Sequence, residues 1–227
     1  MINTAIIVAA GTGKRFGDPR PKQLIELLGK PVIIHTIERF ESCPAIDEIV
    51  LVAAEDRIEE FRDLIAAHTF AKVRSVVPGG ATRAGSVRNG LNEIDEKPAW
   101  IVAVHDGARP LVTVDEISRT VEAASLHGAA CLVVEITDTI KAVNQGFITQ
   151  TVPRANLRRA LTPQAFQYDI LRKAFDGPAL GEDVTDECFL VEHLGIRIFC
   201  VEGNSRNIKI TRPEDLKLAE MYLMSDE

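Results

Sequence analysis

Residues suited to binding phosphate groups are concentrated near the start of the sequence. Gly11 and Gly13 follow five apolar residues, 5–9, that are typical of a buried strand in a parallel sheet. Glycines let backbone N–H groups turn toward an anion, and the nearby Arg15 and Lys22 add charged donors. This combination predicts a polyphosphate site in the loop after the first strand.

Two further loops combine glycine with charge. Residues 78–83 follow a predicted strand at 73–77, and residues 106–110 follow another at 100–105. Ligands of parallel α/β sheets bind at the carboxyl ends of the strands. We therefore expect these two loops and the opening loop to line one crevice.

The glycine spacing of the opening loop differs from that of two common nucleotide-binding motifs. Phe16 occupies the position of the third glycine of the dinucleotide fingerprint, which argues against a nicotinamide-dependent dehydrogenase. The Gly-Lys-Ser/Thr sequence of the ATPase phosphate loop is absent at the required spacing. The loop therefore belongs to another class of polyphosphate site.

Strands and helices alternate through most of the chain, which predicts an α/β fold with a mostly parallel sheet and helices on both faces. The predicted strands are residues 5–9, 48–53, 73–77, 100–105, 129–135 and 196–201, with a short strand end at 207–210. The predicted helices are residues 32–40, 58–65, 81–93, 113–126, 167–175, 184–193 and 211–223. Capping boxes mark two of the helix starts, Thr113 with Glu116 and Thr211 with Glu214.

A hairpin interrupts this alternation. Residues 139–143 and 147–152 alternate apolar and polar side chains around a turn at 144–146. We place the hairpin in a projecting, inserted arm at about 137–154 of a single domain that spans residues 1–227. Because an isolated hairpin is marginally stable in water, burial against a second subunit is one interpretation and a local flap is the other.

Composition excludes several classes of protein. The chain has 227 residues, 46% of them hydrophobic, and a net charge of −7, so we expect a packed globule whose main partner is neither nucleic acid nor an anionic membrane. The four cysteines form no C-x-x-C pair, which argues against a zinc or redox motif. The start of the chain lacks a signal-peptide pattern, and no apolar run approaches the ~20 residues of a membrane span, so we expect a cytoplasmic protein.

A series of short motifs resembles one enzyme family from about residue 5 to residue 223. In chain order the motifs are Ala9-Ala10-Gly11-x-Gly13-x-Arg15, Pro21-Lys22-Gln23, Gly79-Gly80 with Arg83 and Ser86, His105 to Pro110, Asp138-Thr139, Leu161 to Gln164, Thr185 to Glu187, and Asn207 to Leu216. The sequence is similar to the 2-C-methyl-D-erythritol 4-phosphate cytidylyltransferases, which are nucleotidyltransferases with a Rossmann-like fold. The resemblance implies transfer of CMP from CTP to 2-C-methyl-D-erythritol 4-phosphate, which gives 4-diphosphocytidyl-2-C-methyl-D-erythritol and pyrophosphate in the non-mevalonate route to isoprenoid precursors.

The resemblance also implies roles for individual residues. The implied catalytic residues are Arg15, Lys22, Arg154 and Lys209. The implied nucleotide-binding residues are Ala9, Ala10, Gly11, Gly13, Gly80, Ser86, Asp106 and Ala108. The implied substrate-binding residues are Asp106, Arg109, Thr139, Arg154, Thr162, Thr185 and Lys209.

A cofactor and a partner follow from the same resemblance. Mg²⁺ is the implied cofactor, held mainly by the phosphates, with Asp106 as the expected protein ligand. The arm is expected to swap across a homodimer, so that Thr139 and Arg154 serve the site of the other subunit.

Two positions depart from the family pattern. Ala81 stands where the family often has an acidic residue after Gly-Gly, so one base contact of the family is not assigned here. Gly107 stands where the family often has alanine, and we expect the smaller residue to leave more room.

Several alternatives stay open at this point. The acceptor could be ribitol 5-phosphate, whose cytidylyltransferase shares the nucleotide half of the fold, or the chain could bind a nucleotide without catalysis. Asp106 could cap the turn after its strand, and Lys209 could be a solvated surface charge. We interpret four clustered acidic residues as carboxylates that a helix N-terminus attracts: Glu182, Asp183, Asp186 and Glu187.

Overall fold

A seven-stranded sheet forms the centre of the computed structural model, which describes residues 1–11, 16, 20–95, 99–177 and 184–225. Its strands are β1 (Ile2–Ala9), β4 (Glu48–Ala53), β5 (Val73–Pro78), β6 (Ala99–Asp106), β7 (Ala129–Glu135), β10 (Arg158–Gln167) and β11 (Phe199–Glu202). Two further pairs of strands form separate two-stranded sheets, β2 (Glu26–Leu27) with β3 (Lys30–Pro31), and β8 (Ile140–Asn144) with β9 (Phe147–Val152).

Seven α-helices are present in the described part of the chain. They are α1 (Val32–Glu41), α2 (Ile58–His68), α3 (Arg83–Asn92), α4 (Val114–His127), α5 (Tyr168–Phe175), α6 (Glu187–Glu192) and α7 (Pro213–Ser225). Short 3-10 helices occur at Lys22–Leu24 and Glu55–Arg57. Within these described segments, no helix combines the length and the apolar character that crossing a membrane requires.

The strand order in the large sheet is β11-β7-β10-β6-β1-β4-β5. β1 pairs in parallel with β4 and β6, β5 is parallel to β4, and β11 is parallel to β7. β10 lies between β6 and β7 and runs antiparallel to both. The mostly parallel sheet that the sequence predicts is therefore confirmed, with one reversed strand.

Alternate residues of the strands serve two cores, one on each face of the sheet. Ile7 of β1 packs in the core that contains Phe40 of α1, whereas its neighbour Ile6 packs in the core that contains Leu91 of α3. This division follows from the two-residue period of a strand. Helices cover both faces, as a sheet with apolar side chains on both sides requires.

The two predicted capping boxes have different outcomes. At the start of α4, Thr113 Oγ1 accepts a hydrogen bond from Glu116 N at 3.1 Å, and the Glu116 carboxylate accepts one from Thr113 N at 2.8 Å, so this box is confirmed. At the start of α7, Asp215 and not Glu214 accepts from the backbone N–H groups of Thr211 and Arg212, each at 2.8 Å. The second predicted box is therefore wrong: a carboxylate one residue further along accepts from the backbone, and the Thr211 hydroxyl donates to Lys209 O instead.

Three predicted elements near the C-terminus need correction. Residues 207–210 form no strand, although they run beside the site described below. β11 begins at Phe199, later than the predicted start at 196, and α6 covers only Glu187–Glu192. These segments are short, so local sequence patterns define their ends poorly.

Strand β10 was not predicted from the sequence. Its pairing with β7 is interrupted between Ala160 and Gln164, where Pro163 lies. Proline has no N–H group to donate to a neighbouring strand, and within a sheet it is tolerated at such interruptions. Because of this proline, the periodicity of the sequence does not predict the ten-residue strand β10.

The predicted hairpin sequence forms the antiparallel pair β8–β9. Its apolar side chains are exposed in this single chain, with Val143 at 61%, Phe147 at 76% and Ile148 at 66%. The role of this hairpin in a homodimer stays a prediction.

Candidate active site

A cavity of about 430 Å³ opens at the carboxyl ends of β1, β5 and β6. Its lining includes Gly11 after β1, residues 80–83 after β5, and Asp106 and Ala108 at the end of β6. The segment before α7 adds Lys209. The described residues of the three loops that the topology predicts to meet therefore line one cavity, and a fourth segment lines it from the C-terminal part of the chain.

Asp106 is the centre of the charged contacts in this cavity. Its Oδ1 accepts a hydrogen bond from Arg83 Nε at 3.1 Å. Its Oδ2 accepts from Lys209 Nζ at 2.8 Å and from Arg109 Nε at 3.4 Å. Burial by itself would raise the pKa of Asp106, but these three cations outweigh burial and hold the pKa well below its usual range. The carboxylate therefore stays ionised and binds cations, and Lys209 is not a solvated surface charge.

Arg83 lines the cavity and connects it to a buried carboxylate behind it. Its Nη1 donates to both oxygens of Glu187, at 2.7 and 2.9 Å. The side chain of Glu187 is fully buried, at 0% exposure. Burial raises the pKa of Glu187, and the charge of Arg83 opposes that rise. For Arg83, burial lowers the pKa, but Glu187 and Asp106 together raise it above its ordinary value.

A second set of contacts supports the backbone at Asp106. Thr162 Oγ1 accepts a hydrogen bond from Asp106 N at 3.2 Å and lies 3.0 Å from His105 Nδ1. His105 Nε2 lies 3.2 Å from the carbonyl oxygen of Arg109. These contacts fit one tautomer, in which Nε2–H donates to that carbonyl and Nδ1 accepts from the Thr162 hydroxyl. Burial lowers the pKa of His105 to about 3, so the imidazole is neutral.

The predicted catalytic lysine of the opening region also lines the cavity. Lys22 lies in the 3-10 helix Lys22–Leu24, is 8% exposed, and donates from Nζ to the carbonyl oxygen of Ile210 at 2.6 Å. Ile210 N in turn donates to Ala108 O at 2.8 Å. The extended segment that carries Lys209 is thus fixed between Lys22 and the loop after β6.

Two glycines shape the turn that was predicted to contact the base. A Cβ atom on Gly79 would lie 2.3 Å from Ala10 Cβ, and one on Gly80 would lie 2.7 Å from the backbone of Gly85. Ser86 Oγ accepts from Gly80 N at 3.1 Å and donates to Thr82 O at 3.0 Å. Ser86 therefore holds the turn closed while it lines the cavity.

The expectation about Gly107 is wrong. A Cβ atom at this position would lie 2.8 Å from Ile33 Cδ1, 3.1 Å from Val8 O and 3.2 Å from Ala9 Cβ. The neighbours already fill the space, so the glycine leaves no extra room in the site. Ala9 itself is fully buried in β1 and contributes packing at this point.

Several predicted site residues do not line the cavity. Thr162 is buried behind Asp106 and uses its hydroxyl group on protein atoms, so it supports the site from outside the cavity. Arg109 contacts Asp106 and donates to Asn207 O, also from behind the lining. Thr139, Arg154 and Thr185 are exposed and lie away from the cavity of this chain. Gly13 and Arg15 lie outside the described residues.

Sequence reasoning gave no catalytic or binding role to Arg83 or to Glu187, and it assigned Glu187 with Glu182, Asp183 and Asp186 to a helix N-terminus. Glu182 and Asp183 lie outside the described residues. The helix-terminus interpretation holds for Asp186, which accepts from Phe189 N at 3.0 Å at the start of α6. Glu187 instead pairs with a residue 104 positions away. The only available signals were the motifs that contain Arg83 and Glu187, because nothing local to either residue indicates their contact.

The residues around Asp106 fit a magnesium ion that is carried mainly by phosphates. Among the described residues, no group of three or more His, Cys, Asp or Glu side chains could form a metal cage. Mg²⁺ commonly binds one or two carboxylates together with substrate phosphates and water. Asp106 is the carboxylate of the lining, and any ion there would share it with the three cations.

Comparisons with known proteins find relatives that match nearly the whole chain. A statistical model of the family described as 2-C-methyl-D-erythritol 4-phosphate cytidylyltransferase matches residues 3–225. A relative of that name from Geotalea uraniireducens is 44% identical over 225 residues, which cover 98% of this chain and 97% of the relative. Another from Dehalococcoides mccartyi is 42% identical over 220 residues, which cover 96% and 95%.

Solved structures agree with the fold. The crystal structure of the Francisella tularensis 2-C-methyl-D-erythritol 4-phosphate cytidylyltransferase is similar with a TM-score of 0.82 at 34% identity, over 97% of this chain and 99% of that chain. The 4-diphosphocytidyl-2C-methyl-D-erythritol synthase from Anaerococcus prevotii gives a TM-score of 0.86 at 28% identity, over 98% and 96%.

Proposed function

The chain belongs to the 2-C-methyl-D-erythritol 4-phosphate cytidylyltransferase family, and we infer that its cavity is the site where CMP passes from CTP to 2-C-methyl-D-erythritol 4-phosphate. The products are 4-diphosphocytidyl-2-C-methyl-D-erythritol and pyrophosphate, and the reaction serves isoprenoid biosynthesis. The ribitol 5-phosphate alternative is not favoured, because the family and both relatives named above are methylerythritol phosphate enzymes. We keep the cytoplasm as the predicted location.

One observation carries the assignment to this cavity, namely an excess of positive charge in a chain of net charge −7. Among the described residues, four cationic side chains and two carboxylates form the cavity and its supports: Lys22, Arg83, Arg109 and Lys209, with Asp106 and Glu187. Two polyanions that react with each other need such a surplus, because their repulsion opposes the approach.

The chemistry needs no protein nucleophile and no general base. The acceptor is a phosphate monoester with a second pKa of about 6, so at neutral pH it is already largely a dianion. We propose direct displacement, in which an acceptor oxygen bonds to the α-phosphorus of CTP as the bond to the leaving pyrophosphate breaks. Catalysis then depends on in-line positioning and on stabilising the charge of the leaving group.

We propose separate roles for the cations. Lys22, with Arg15, neutralises the triphosphate and the transition state, which the position of Lys22 in the same lining as Ala10 and Gly11 supports. Lys209 holds the acceptor phosphate beside Asp106, and Arg154 of the other subunit assists it. A Mg²⁺ ion carried by the triphosphate would supply further charge neutralisation. Asp106 is its predicted protein ligand, but three cations already pair with this carboxylate, so we assign the ion to the phosphates.

The base and the sugars have their own proposed contacts. The closed turn at Gly80 and Ser86 is narrow, which supports a pyrimidine at that end of the cavity. Asp106 and Ala108 also line the cavity, and we place the ribose and the acceptor beside them.

We also propose a homodimer formed through the hairpin β8–β9. Its exposed Val143, Phe147 and Ile148 need a surface to cover them, and an isolated hairpin is marginally stable in water. Thr139 and Arg154 flank the hairpin and lie outside the cavity of their own chain. Both facts support an arm that delivers these residues to the neighbouring site.

A pyrophosphate-release assay tests the activity. With CTP present, we expect turnover with 2-C-methyl-D-erythritol 4-phosphate, at a kcat/KM about 100-fold or more above that with ribitol 5-phosphate. CTP without an acceptor serves as the blank. Faster turnover with ribitol 5-phosphate would reverse the acceptor assignment, and the absence of turnover with either acceptor would contradict catalysis.

A further inference from the structure

A buried ion pair joins the cavity to a helix that does not line it. Glu187 opens α6 and is fully buried, and Arg83 opens α3 and lines the cavity. Arg83 divides its donors, with Nη1 on both oxygens of Glu187 and Nε on Asp106 Oδ1. Because the guanidinium is planar and rigid, the position of Glu187 determines where Arg83 places the Nε donor that contacts Asp106.

The acceptor capacity of Asp106 shows why its orientation matters. An ionised carboxylate offers about four lone-pair sites. Oδ2 already accepts from Lys209 and Arg109, whereas Oδ1 accepts from Arg83 alone among the described residues. Oδ1 is thus the oxygen with room for a further donor, and it is the oxygen that Arg83 fixes.

Stability alone does not explain a carboxylate at position 187. A buried ion pair seldom stabilises a fold more than apolar side chains of similar size would. The N-terminus of α6 is already capped by Asp186, and the apolar Cys188, Leu190 and Val191 anchor the helix in the core. Glu187 is therefore not required to start or to hold α6.

We propose that Glu187 is a positioning residue for cytidylyl transfer, which fixes Arg83 so that Asp106 Oδ1 faces a hydroxyl group of the substrate. The inference rests on the proposed function of the cavity. Its ligand class is a sugar or sugar alcohol, because a hydroxyl is the neutral donor that a crowded carboxylate accepts. Without the carboxylate of Glu187, Nη1 of Arg83 has no partner there and can donate to Asp106 as Nε does. Arg83 then fills the free acceptor site on Oδ1, and the substrate hydroxyl cannot use it.

Glu187→Gln tests this, because it keeps the shape of the side chain and removes the charge. We expect kcat to fall about 10- to 100-fold, as it does when supporting residues are removed from other sites. Glu192→Gln is the matched control, since Glu192 lies on the same helix with an exposed side chain. That variant should keep wild-type kcat. Thermal melting of each variant shows whether it is folded.

A double-mutant cycle separates positioning from a structural role. In an Asp106→Asn background, Glu187→Gln should cause less than about a twofold further loss of kcat, because Glu187 acts through Asp106. A structural role gives a loss of the same size in both backgrounds. If Glu187→Gln does not fold, Arg83→Lys replaces it in the cycle, because lysine keeps a charge beside Glu187 but cannot bridge to Asp106 as a planar fork.

Failure of the positioning role and failure of the proposed function give different results. A Glu187→Gln enzyme within twofold of the wild-type kcat, or additive losses in the cycle, would overturn the positioning role while the activity of the wild-type enzyme stands. Absence of wild-type turnover with either alcohol phosphate would instead overturn the function on which the proposal rests.

Discussion

The charged cavity and the hairpin β8–β9 differ in where their contacts come from. In the cavity, Asp106 has three cationic partners, and each of these comes from a different segment of the same chain. In the hairpin, Phe147 and Ile148 are 76% and 66% exposed, and the two strands pair with each other in a sheet of their own. In the described residues, the charges around Asp106 pair within one chain, whereas the hairpin presents apolar surface without a cover.

This difference separates two kinds of function. Buried, cross-linked charges give the preorganised donors that stabilise a charged transition state, because they need not reorganise during the reaction. Exposed apolar side chains on a hairpin suit association, since covering them releases water. We therefore expect damage to the cavity to reduce the rate per site, and damage to the hairpin to act through assembly.

Lys22→Ala should give the largest effect. We expect kcat to fall about 100- to 1,000-fold, the usual result of removing one donor to a developing charge. Lys72→Ala is a matched control, because Lys72 Nζ also donates to a backbone carbonyl, that of Cys43 at 2.7 Å, and it does not line the cavity. Steady-state pyrophosphate release measures both. Equal losses in the two variants would mean that the backbone contact, and not the charge in the cavity, explains the effect.

Mixing two inactive variants tests whether a residue beside the hairpin serves the cavity of the other subunit. If Arg154 serves the neighbouring site, a heterodimer of Arg154→Ala and Lys22→Ala subunits contains one intact site. Random mixing should then restore about a quarter of the wild-type activity, since half of the dimers are mixed and each has one good site. Coexpression with two purification tags isolates the mixed dimers for assay. Verified heterodimers without activity would show that each chain completes its own site.

The sequence predicts the cavity better than its supports, for physical reasons. The loops at Gly11, Gly80 and Asp106 carry local signals, because glycine and charge after a strand are visible in the sequence and parallel topology brings such loops together. The pair Arg83–Glu187 spans 104 positions, so no local pattern indicates it. The tight space at Gly107 depends on Ile33, which comes from another element.

The predicted hairpin shows the complementary limit. Alternation of side chains indicates the paired strands, and these strands are present in the structure. The same alternation leaves undecided what lies against them, because a strand pattern specifies faces and not partners. Contacts between subunits cannot be predicted from the periodicity of one strand.

Ile148→Asp tests the hairpin with a moderate expected effect. Val143 lies directly opposite Ile148 in the strand pairing, and both are exposed. Placing a charge in an apolar interface should weaken the dimer by about 2 kcal/mol, which is roughly a 30-fold rise in its Kd. Leu126→Asp, on the exposed side of α4 at 73% exposure, adds the same charge away from the hairpin and should leave the Kd unchanged. Analytical ultracentrifugation measures both, and an unchanged Kd for Ile148→Asp would exclude the hairpin as the interface.

Acidification should give the smallest effect, and it should act on the support of the cavity through His105. Burial lowers the pKa of His105 from its ordinary value of 6.5 to about 3, so below pH 6.5 the unfolded chain binds a proton that the folded chain does not. The free energy of unfolding should therefore fall as the pH drops, by about 1.4 kcal/mol between pH 7.5 and pH 5.5. His105→Gln cannot titrate, so its unfolding in urea should lack that part of the pH dependence, although the variant is less stable at pH 7.5. The buried histidine would have no role in acid sensitivity if the wild type and the variant lost equal free energy over this range, because the remaining titratable groups are common to both.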